Sequence, residues 1–262
     1  MNIWLISLLA VWLFINLAYL ASRVLKRNDI MDILWGLGFS MLTILNLSLT
    51  AYYPIWKIVL SSLVILWSIR LSLHIILKNS GKSEDFRYQN WRKSWGKTEW
   101  WRSYLQIYLL QGFFMFVIAL PIIGLLSKSF HPFSFPKQNL MYFPVIVAVL
   151  GLLIESIADY QKTVFKKTNA SGLMKTGLWK YSRHPNYFGE AVFWWGIALL
   201  SFVDTYLIYG IISATVITVL LRYVSGVPML EKAKEGNAAY EQYKKETPVF
   251  VPFLKSGKKI TN

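Results

Sequence analysis

Five ionisable residues lie inside or at the edges of apolar stretches: Asp32, Arg70, Glu155, Asp159 and Glu190. A charge in such a place costs about 2.5 to 3.5 kcal/mol on membrane-insertion scales, so each of these groups requires a partner or a ligand. Glu155 and Asp159 are four residues apart, which places both carboxylates on one face of a helix. The functional interpretation is a polar pocket that opens to the cytosol.

Structural roles are open alternatives for the same side chains. Arg183 or Lys166 could neutralise the two carboxylates of the helix face. Arg70 could extend its charge toward the membrane surface, or it could pair with Asp32 or Asp85.

The densest group of reactive side chains lies in the segment from Thr176 to Glu190, which reads TGLWKYSRHPNYFGE. Pro185 favours the first turn of a helix, and Glu190 suits the positive end of the helix dipole. A helix start flanked by Lys180 and Arg183 is a ready anion site, and nucleotide phosphates would fit it.

A second polar segment follows the last apolar run. The spacing of Lys232, Tyr240 and Tyr243 places them along one or two turns of a short amphipathic helix. This helix could lie on the membrane surface, or it could cover the pocket described above.

The elements that position these residues are transmembrane helices. The chain of 262 residues is 55% hydrophobic with a mean hydropathy of +0.41, which is too apolar for a soluble domain of this length. Cysteine is absent and only three histidines occur, so thiolate chemistry is excluded and no metal site is expected. The net charge of +15 lies in short loops between apolar runs, so we expect a lipid bilayer rather than nucleic acid as the partner.

The sequence predicts an all-α polytopic membrane protein with about seven spans, because each span needs about 20 apolar residues. The spans are predicted near residues 2–21, 30–51, 55–77, 104–126, 140–160, 188–203 and 205–224. We treat residues 1–262 as a single domain, with helices one to four in 2–126 and the cofactor region in 140–262. We expect the sixth segment, which is short, to join the seventh through a tight turn at Asp204 and to form a hairpin in which one member is tilted or partly re-entrant.

The distribution of basic residues predicts the orientation. With seven spans, 24 Lys and Arg residues fall on one side of the membrane and three on the other. Cytosolic loops carry the excess, so we expect an outside N-terminus, a cytosolic C-terminus and an active site open to the cytosol. The expected location is a bacterial inner membrane, or the endoplasmic reticulum in a eukaryote. The tryptophans of the basic loop 78–103 are either interfacial anchors or ligand contacts.

The segment from Gly177 to Glu190, with the Tyr-rich and Pro-Phe closing segment, resembles the steroid 5-alpha reductase superfamily, in particular its uncharacterised bacterial branch. Three other segments are similar to segments of that family: Leu110-Gln111-Gly112, Asp159-Tyr160 and Glu84-Asp85-Phe86-Arg87-Tyr88. Arg70 falls where the family has an arginine in its third helix.

The resemblance implies a reductase that transfers hydride from NADPH to a carbon–carbon double bond conjugated to a carbonyl, in a lipid-soluble, steroid- or isoprenoid-like substrate. No protein partner is inferred. Gln111 would lie near the substrate or the nicotinamide. The cofactor-binding residues expected from the resemblance and from the motifs above are Arg70, Glu155, Asp159, Lys166, Lys180, Arg183, Asn186, Tyr187, Glu190 and Tyr243.

The chain departs from the family at the groups that polarise the substrate carbonyl. The family has a Glu at the start of its second helix and a Tyr in its third, where this chain has Asp32 or Asp29 and Trp67. An indole cannot donate as a phenol does, so we expect the donor to be a protonated Asp32, with Arg70 or Tyr88 as alternatives. A purely structural pair of Asp32 with Arg70 is equally open.

A different enzyme class is the main alternative. Isoprenylcysteine carboxyl methyltransferases share the Arg-His-Pro-x-Tyr-x-Gly pattern that begins at Arg183, and they bind S-adenosylmethionine there. They usually lack the Asp-Tyr pair, and they carry Glu-Glu where this chain has Leu230-Glu231. A non-enzymatic lipid-binding or transport protein is a third possibility.

Overall fold

The computed structural model describes residues 2–127, 141–169, 172–201 and 207–253, and within these ranges the ordered elements are helices. This confirms the predicted all-α polytopic membrane protein. The α-helices are α1 (Ile3–Leu25), α2 (Ile30–Ser48), α3 (Ile55–Asn79), α4 (Phe86–Trp95), α5 (Glu99–Ser103), α6 (Leu110–Ile118), α7 (Leu120–Ser127), α8 (Tyr142–Thr168), α9 (Pro185–Leu200), α10 (Leu207–Val219), α11 (Val227–Lys232) and α12 (Ala238–Glu246).

Shorter elements join these helices. Residues Gly96–Thr98 and Gly177–Lys180 form 3-10 turns, whereas Tyr104–Leu109 and Leu220–Val224 are π-helical. Leucines on one side of α1, including Leu9, Leu13 and Leu17, are more than half exposed, as expected for a surface that faces lipid tails.

Five helices of the described chain are long and apolar enough to cross a membrane, and six if a bent pair counts as one span. The difference from the predicted seven lies in α9, whose 16 residues reach only about 24 Å at 1.5 Å per residue. The sixth member is therefore short, as predicted, whereas the predicted turn at Asp204 lies outside the described residues.

The fourth predicted span, 104–126, differs from the structure at both ends. Helical structure begins at Phe86, in a stretch predicted to be a loop, and the span bends by 46° between Ile118 and Leu120. Pro121 explains the bend, because it has no N–H to continue the hydrogen-bond ladder of the preceding helix.

The described chain forms two compact units, one of residues 1–141 and 201–213 and the other of residues 142–200 and 214–262. In the first unit, polar contacts join α2 to α3: Ser72 donates to the carbonyl of Ile33 at 2.7 Å, and the hydroxyls of Ser40 and Ser68 lie 2.7 Å apart. Such small polar residues hold membrane helices together where apolar contacts give no advantage over lipid.

In the second unit, α8 and α9 pack closely at glycines. A Cβ atom on Gly189 would lie 2.5 Å from the backbone nitrogen of Glu155 and 2.8 Å from the carbonyl oxygen of Gly151. No other residue fits such an approach. The glycine therefore brings the part of α8 that carries Glu155 and Asp159 against the first turns of α9.

Candidate functional site

The first unit contains a buried phenol bonded to a carboxylate. The hydroxyl of Tyr88 donates a short hydrogen bond to Oδ1 of Asp32, and Nη2 of Arg87 donates to Oδ2 of the same side chain at 2.6 Å. Tyr88 is only 2% exposed. Asp32 lies in the first turn of α2, where the helix dipole stabilises a negative charge.

A network of charged side chains fixes the helix that carries Tyr88. Arg87 donates from Nε to Asp85 at 2.9 Å, and Asp29 accepts from the backbone nitrogen of Asp85, also at 2.9 Å. Burial opposes ionisation of Asp85, but the hydrogen bond and charge of Arg87 outweigh it, so the pKa of Asp85 lies below its usual value. Arg92 binds Glu84 and Glu99 at 3.0 and 3.1 Å.

Gln111 and Arg70, two further residues predicted for the site, are also in the first unit. The side chain of Gln111 neighbours the hydroxyl of Tyr88. Arg70 is half-buried in α3. Each of the two oxygens of Asp32 accepts a hydrogen bond, one from Tyr88 and one from Arg87, and the pairing of Arg70 with Asp32 or Asp85 stays a prediction.

Trp67 and Asp29, which mark the departures from the family, have structural roles. Trp67 is fully buried and packs edge-on against Phe39, with ring centroids 5.5 Å apart. Asp29 accepts two hydrogen bonds from Arg27, at 3.0 and 2.8 Å.

The second unit brings several predicted cofactor residues together at the junction of α8 and α9. Nδ2 of Asn186 donates to Oδ1 of Asp159 at 3.1 Å, and Glu155 and Glu190 are buried in the same two helices. Pro185 is the first residue of α9, as predicted. The Oδ1 atom of Asn186 is buried and has no hydrogen-bond partner among the described residues. It is therefore a free acceptor for a ligand N–H group.

Arg183 anchors the C-terminal segment. Its Nε donates to Oε1 of Glu231 at 2.8 Å, and its Nη1 donates to the carbonyls of Lys244 and Thr247 at 3.1 and 2.8 Å. The backbone nitrogen of Arg183 donates to Pro248 at 2.9 Å. The alternative in which Arg183 neutralises Glu155 and Asp159 is therefore wrong, since Glu231 is its carboxylate partner.

His184 and Tyr240 complete this cluster around Glu231. Nε2 of His184 lies 3.3 Å from Oε1 of Glu231, and the hydroxyl of Tyr240 donates to that oxygen at 3.2 Å. Burial lowers the pKa of His184 below 6.5, although Glu231 opposes the shift. Tyr187 stacks on the imidazole, with ring centroids 5.8 Å apart.

Two further predicted cofactor residues have local contacts. The hydroxyl of Tyr243 donates to the carbonyls of Trp179 and Ser182, so it holds the loop before α9. Lys180 is exposed and lies over the ring of Tyr181 at 5.9 Å.

The predicted single helix for Lys232, Tyr240 and Tyr243 is wrong. Lys232 ends α11, whereas both tyrosines lie in α12. The chain turns between the two helices at Gly236, whose φ of 82° is in the left-handed region that favours glycine.

Basic side chains gather beside the Arg183 cluster. Lys166 donates to the carbonyl of Gly172 at 3.0 Å, and Lys234 lies over the ring of Tyr240 at 4.5 Å. Burial lowers the pKa of Lys234, and the charges of Lys166 and Arg183 lower it further, although the charge of Glu231 opposes the shift. A bound anion would relieve this mutual repulsion.

Sequence reasoning did not assign Glu231, His184 and Lys234 to the site. His184 follows Arg183 directly, and Glu231 stands where the methyltransferases have the second residue of a Glu-Glu pair. The sequence signal for Glu231 and Lys234 is the presence of both acidic and basic residues in the amphipathic segment after the last span.

Comparison with known proteins identifies the family. The family described as "Protein of unknown function (DUF1295)" matches residues 18–247, which is most of the chain. The chain belongs to the DUF1295 family. The match covers most of both units of this DUF1295 member and includes the residues of the Tyr88–Asp32 and Arg183–Glu231 clusters.

A characterised enzyme is a more distant relative of this DUF1295 member. The Protein-S-isoprenylcysteine O-methyltransferase of Saccharomyces cerevisiae is 27% identical over an alignment of 151 residues, and the matched region covers 50% of this chain and 61% of the yeast protein. The chain thus spans about three fifths of the length of the curated relative it matches. No solved structure gives a significant match.

Proposed function

We propose that this membrane protein is an NADPH-dependent reductase of a carbon–carbon double bond conjugated to a carbonyl in a lipid-soluble substrate. The observation that carries the proposal is the buried phenol of Tyr88 bonded to Asp32 with Gln111 beside it. Reduction of such a double bond moves negative charge onto the carbonyl oxygen. A fixed donor aimed at that charge is worth about 2.7 to 4 kcal/mol in an active site.

Tyr88 takes the donor role that the sequence analysis preferred to give to Asp32. The Asp32 oxygens accept hydrogen bonds from a phenol and a guanidinium, which suits a carboxylate rather than a protonated acid. A ketone oxygen is a weaker acceptor than this carboxylate, whereas a developing enolate oxygen is a strong one. The phenol proton therefore shifts toward the substrate as the charge forms, which favours the transition state over the ground state.

The second unit supports a phosphate-bearing cofactor. The free Oδ1 of Asn186 would accept an N–H of the cofactor, such as that of a nicotinamide carboxamide. Lys166 and Lys234 would hold phosphate groups, because charge-assisted hydrogen bonds to phosphate are strong. When bound, NADPH would supply the hydride. Arg183 and Tyr243 would keep the surrounding loop in place.

A methyltransferase is the second candidate, and the yeast relative favours it. S-adenosylmethionine is cationic at its sulfonium, so the buried acids Glu155, Asp159 and Glu190 would suit it. It carries no phosphate, however, and its single carboxylate would neutralise less of the basic charge of Lys166, Lys234 and Arg183 than the phosphate groups of NADPH would.

The test is a pair of assays on the detergent-purified protein. One follows NADPH oxidation with a panel of lipid-soluble steroid and isoprenoid enones and identifies a product that carries two more hydrogens. The other follows methyl transfer from S-adenosylmethionine to an isoprenylated cysteine. Enone-dependent NADPH oxidation is expected. Methyl transfer without NADPH oxidation contradicts the proposal.

A further inference from the structure

A groove opens on the second unit beside α9, the end of the last long apolar helix and the C-terminal segment. Its volume is about 560 Å³, within the range of about 300 to 1,000 Å³ that ligand sites occupy. One wall is apolar and is formed by Phe188, Val192, Trp195 and Phe250.

The groove also has positively charged lining side chains. Arg183 and Arg222 both line it, and no carboxylate does so among the described residues. Nε and Nη1 of Arg183 donate within the unit, whereas Nη2 has no acceptor among the described residues. Arg222 lies over the ring of Tyr223 at 4.7 Å. The groove therefore combines an apolar slot with two guanidinium groups, which is complementary to an anionic amphiphile.

A π-helical turn positions Arg222. Residues Leu220–Val224 are π-helical, and the backbone nitrogen of Ser225 donates to the carbonyl of Leu220, five residues earlier, at 2.9 Å. One extra residue in the turn rotates the following side chains by about 100° relative to a regular helix. Such turns occur frequently at functional sites.

Hydrogen bonds hold the walls in place. The hydroxyl of Ser182 donates to the carbonyl of Phe250 at 2.7 Å, and Nε1 of Trp195 donates to Oγ1 of Thr218 at 3.2 Å. The groove is therefore formed before any ligand arrives.

The surroundings of the groove are those of a membrane interface. Tyr223 is 66% exposed and Phe253 is 77% exposed, and the span that carries Arg222 ends nearby at Lys232. Exposed aromatic side chains near the ends of spans lie at the level of the lipid headgroups.

We propose that this groove binds an anionic phospholipid. The phosphate contacts Arg183 and Arg222, and one acyl chain lies along Phe188, Val192 and Trp195. This lipid site is independent of the reaction proposed above, because it requires no substrate or cofactor.

The experiment measures lipid binding to the purified full-length chain by native mass spectrometry, with phosphatidylglycerol and phosphatidylcholine as probes. We expect phosphatidylglycerol to bind at least about tenfold more tightly. Arg222→Gln should remove this preference. Arg102→Gln is the matched control, because Arg102 also lies over an adjacent aromatic ring, that of Trp101, at 5.4 Å, but does not line the groove.

Two further arms keep the proposal falsifiable. Val192→Trp fills the apolar slot without removing charge, so it should also abolish tight phosphatidylglycerol binding. If Arg222→Gln fails to fold, this second variant still tests whether the lipid binds in the groove. Inorganic phosphate should not displace the lipid. Equal binding of the two lipids, unchanged binding in Val192→Trp, or displacement by phosphate alone would each overturn the proposal.

Discussion

Replacement of Tyr88 by Phe removes one hydroxyl from the first unit and nothing else. The lost bond has a charged acceptor, so the free energy of unfolding should fall by about 1.5 to 3 kcal/mol. If the phenol also donates to the developing enolate, turnover should fall by a factor of about 100 to 1,000. NADPH affinity should remain unchanged, since the cofactor residues assigned to the second unit are untouched.

Tyr108→Phe is the matched control for this prediction. Tyr108 is also fully buried in the first unit, and its hydroxyl contacts the backbone and side-chain oxygens of Asn28 at 3.4 Å. Its loss should cost stability of about 0.5 to 1.5 kcal/mol and leave turnover near normal. The assays are thermal unfolding in detergent and enone-dependent NADPH oxidation. If Tyr88→Phe and Tyr108→Phe retain equal turnover, the donor role of Tyr88 is wrong.

Three other substitutions test the second unit. Arg183→Lys should lower the free energy of unfolding by about 3 kcal/mol, because one ammonium cannot replace a guanidinium that binds Glu231 and two carbonyls; an unchanged melting temperature would exclude this anchoring role. The buried His184 has a lowered pKa, so wild-type stability should be lost as the pH falls below about 6.5, whereas His184→Gln should lose less of it; parallel melting curves would refute this. If Lys234 binds the 2′-phosphate that distinguishes NADPH from NADH, Lys234→Gln should weaken NADPH binding about tenfold in titrations and leave NADH binding unchanged. Equal losses of affinity for the two cofactors would show that Lys234 does not contact this phosphate.

Much of the helical framework could be predicted from the sequence because hydropathy and helix signals are local. The membrane character, the proline start of α9 and the closeness of Asp159 to Asn186 all follow from short patterns and the family resemblance. The bend near Pro121 also has a local signal, which is the proline itself. The orientation of the helices across the membrane stays a prediction.

The pairings could not be predicted because they join residues that are distant in sequence. Tyr88 and Asp32 are 56 residues apart, and Arg183 and Glu231 are 48 apart. Each contact depends on how a polar segment folds back onto a helix end. The helix that presents Tyr88 to Asp32 is α4, and its basic sequence has no helix signal strong enough to place it. The sequence therefore predicts a loop for this segment.

The most direct test of the proposed reductase is cofactor binding by the purified wild-type protein. Isothermal titration should compare NADPH with S-adenosylmethionine, and Asn186→Leu should serve as the site variant, because it removes the amide oxygen that is the free acceptor while keeping a side chain of similar size. The account predicts saturable NADPH binding that this variant weakens, with no comparable binding of S-adenosylmethionine. Tight binding of S-adenosylmethionine without measurable NADPH binding would contradict it.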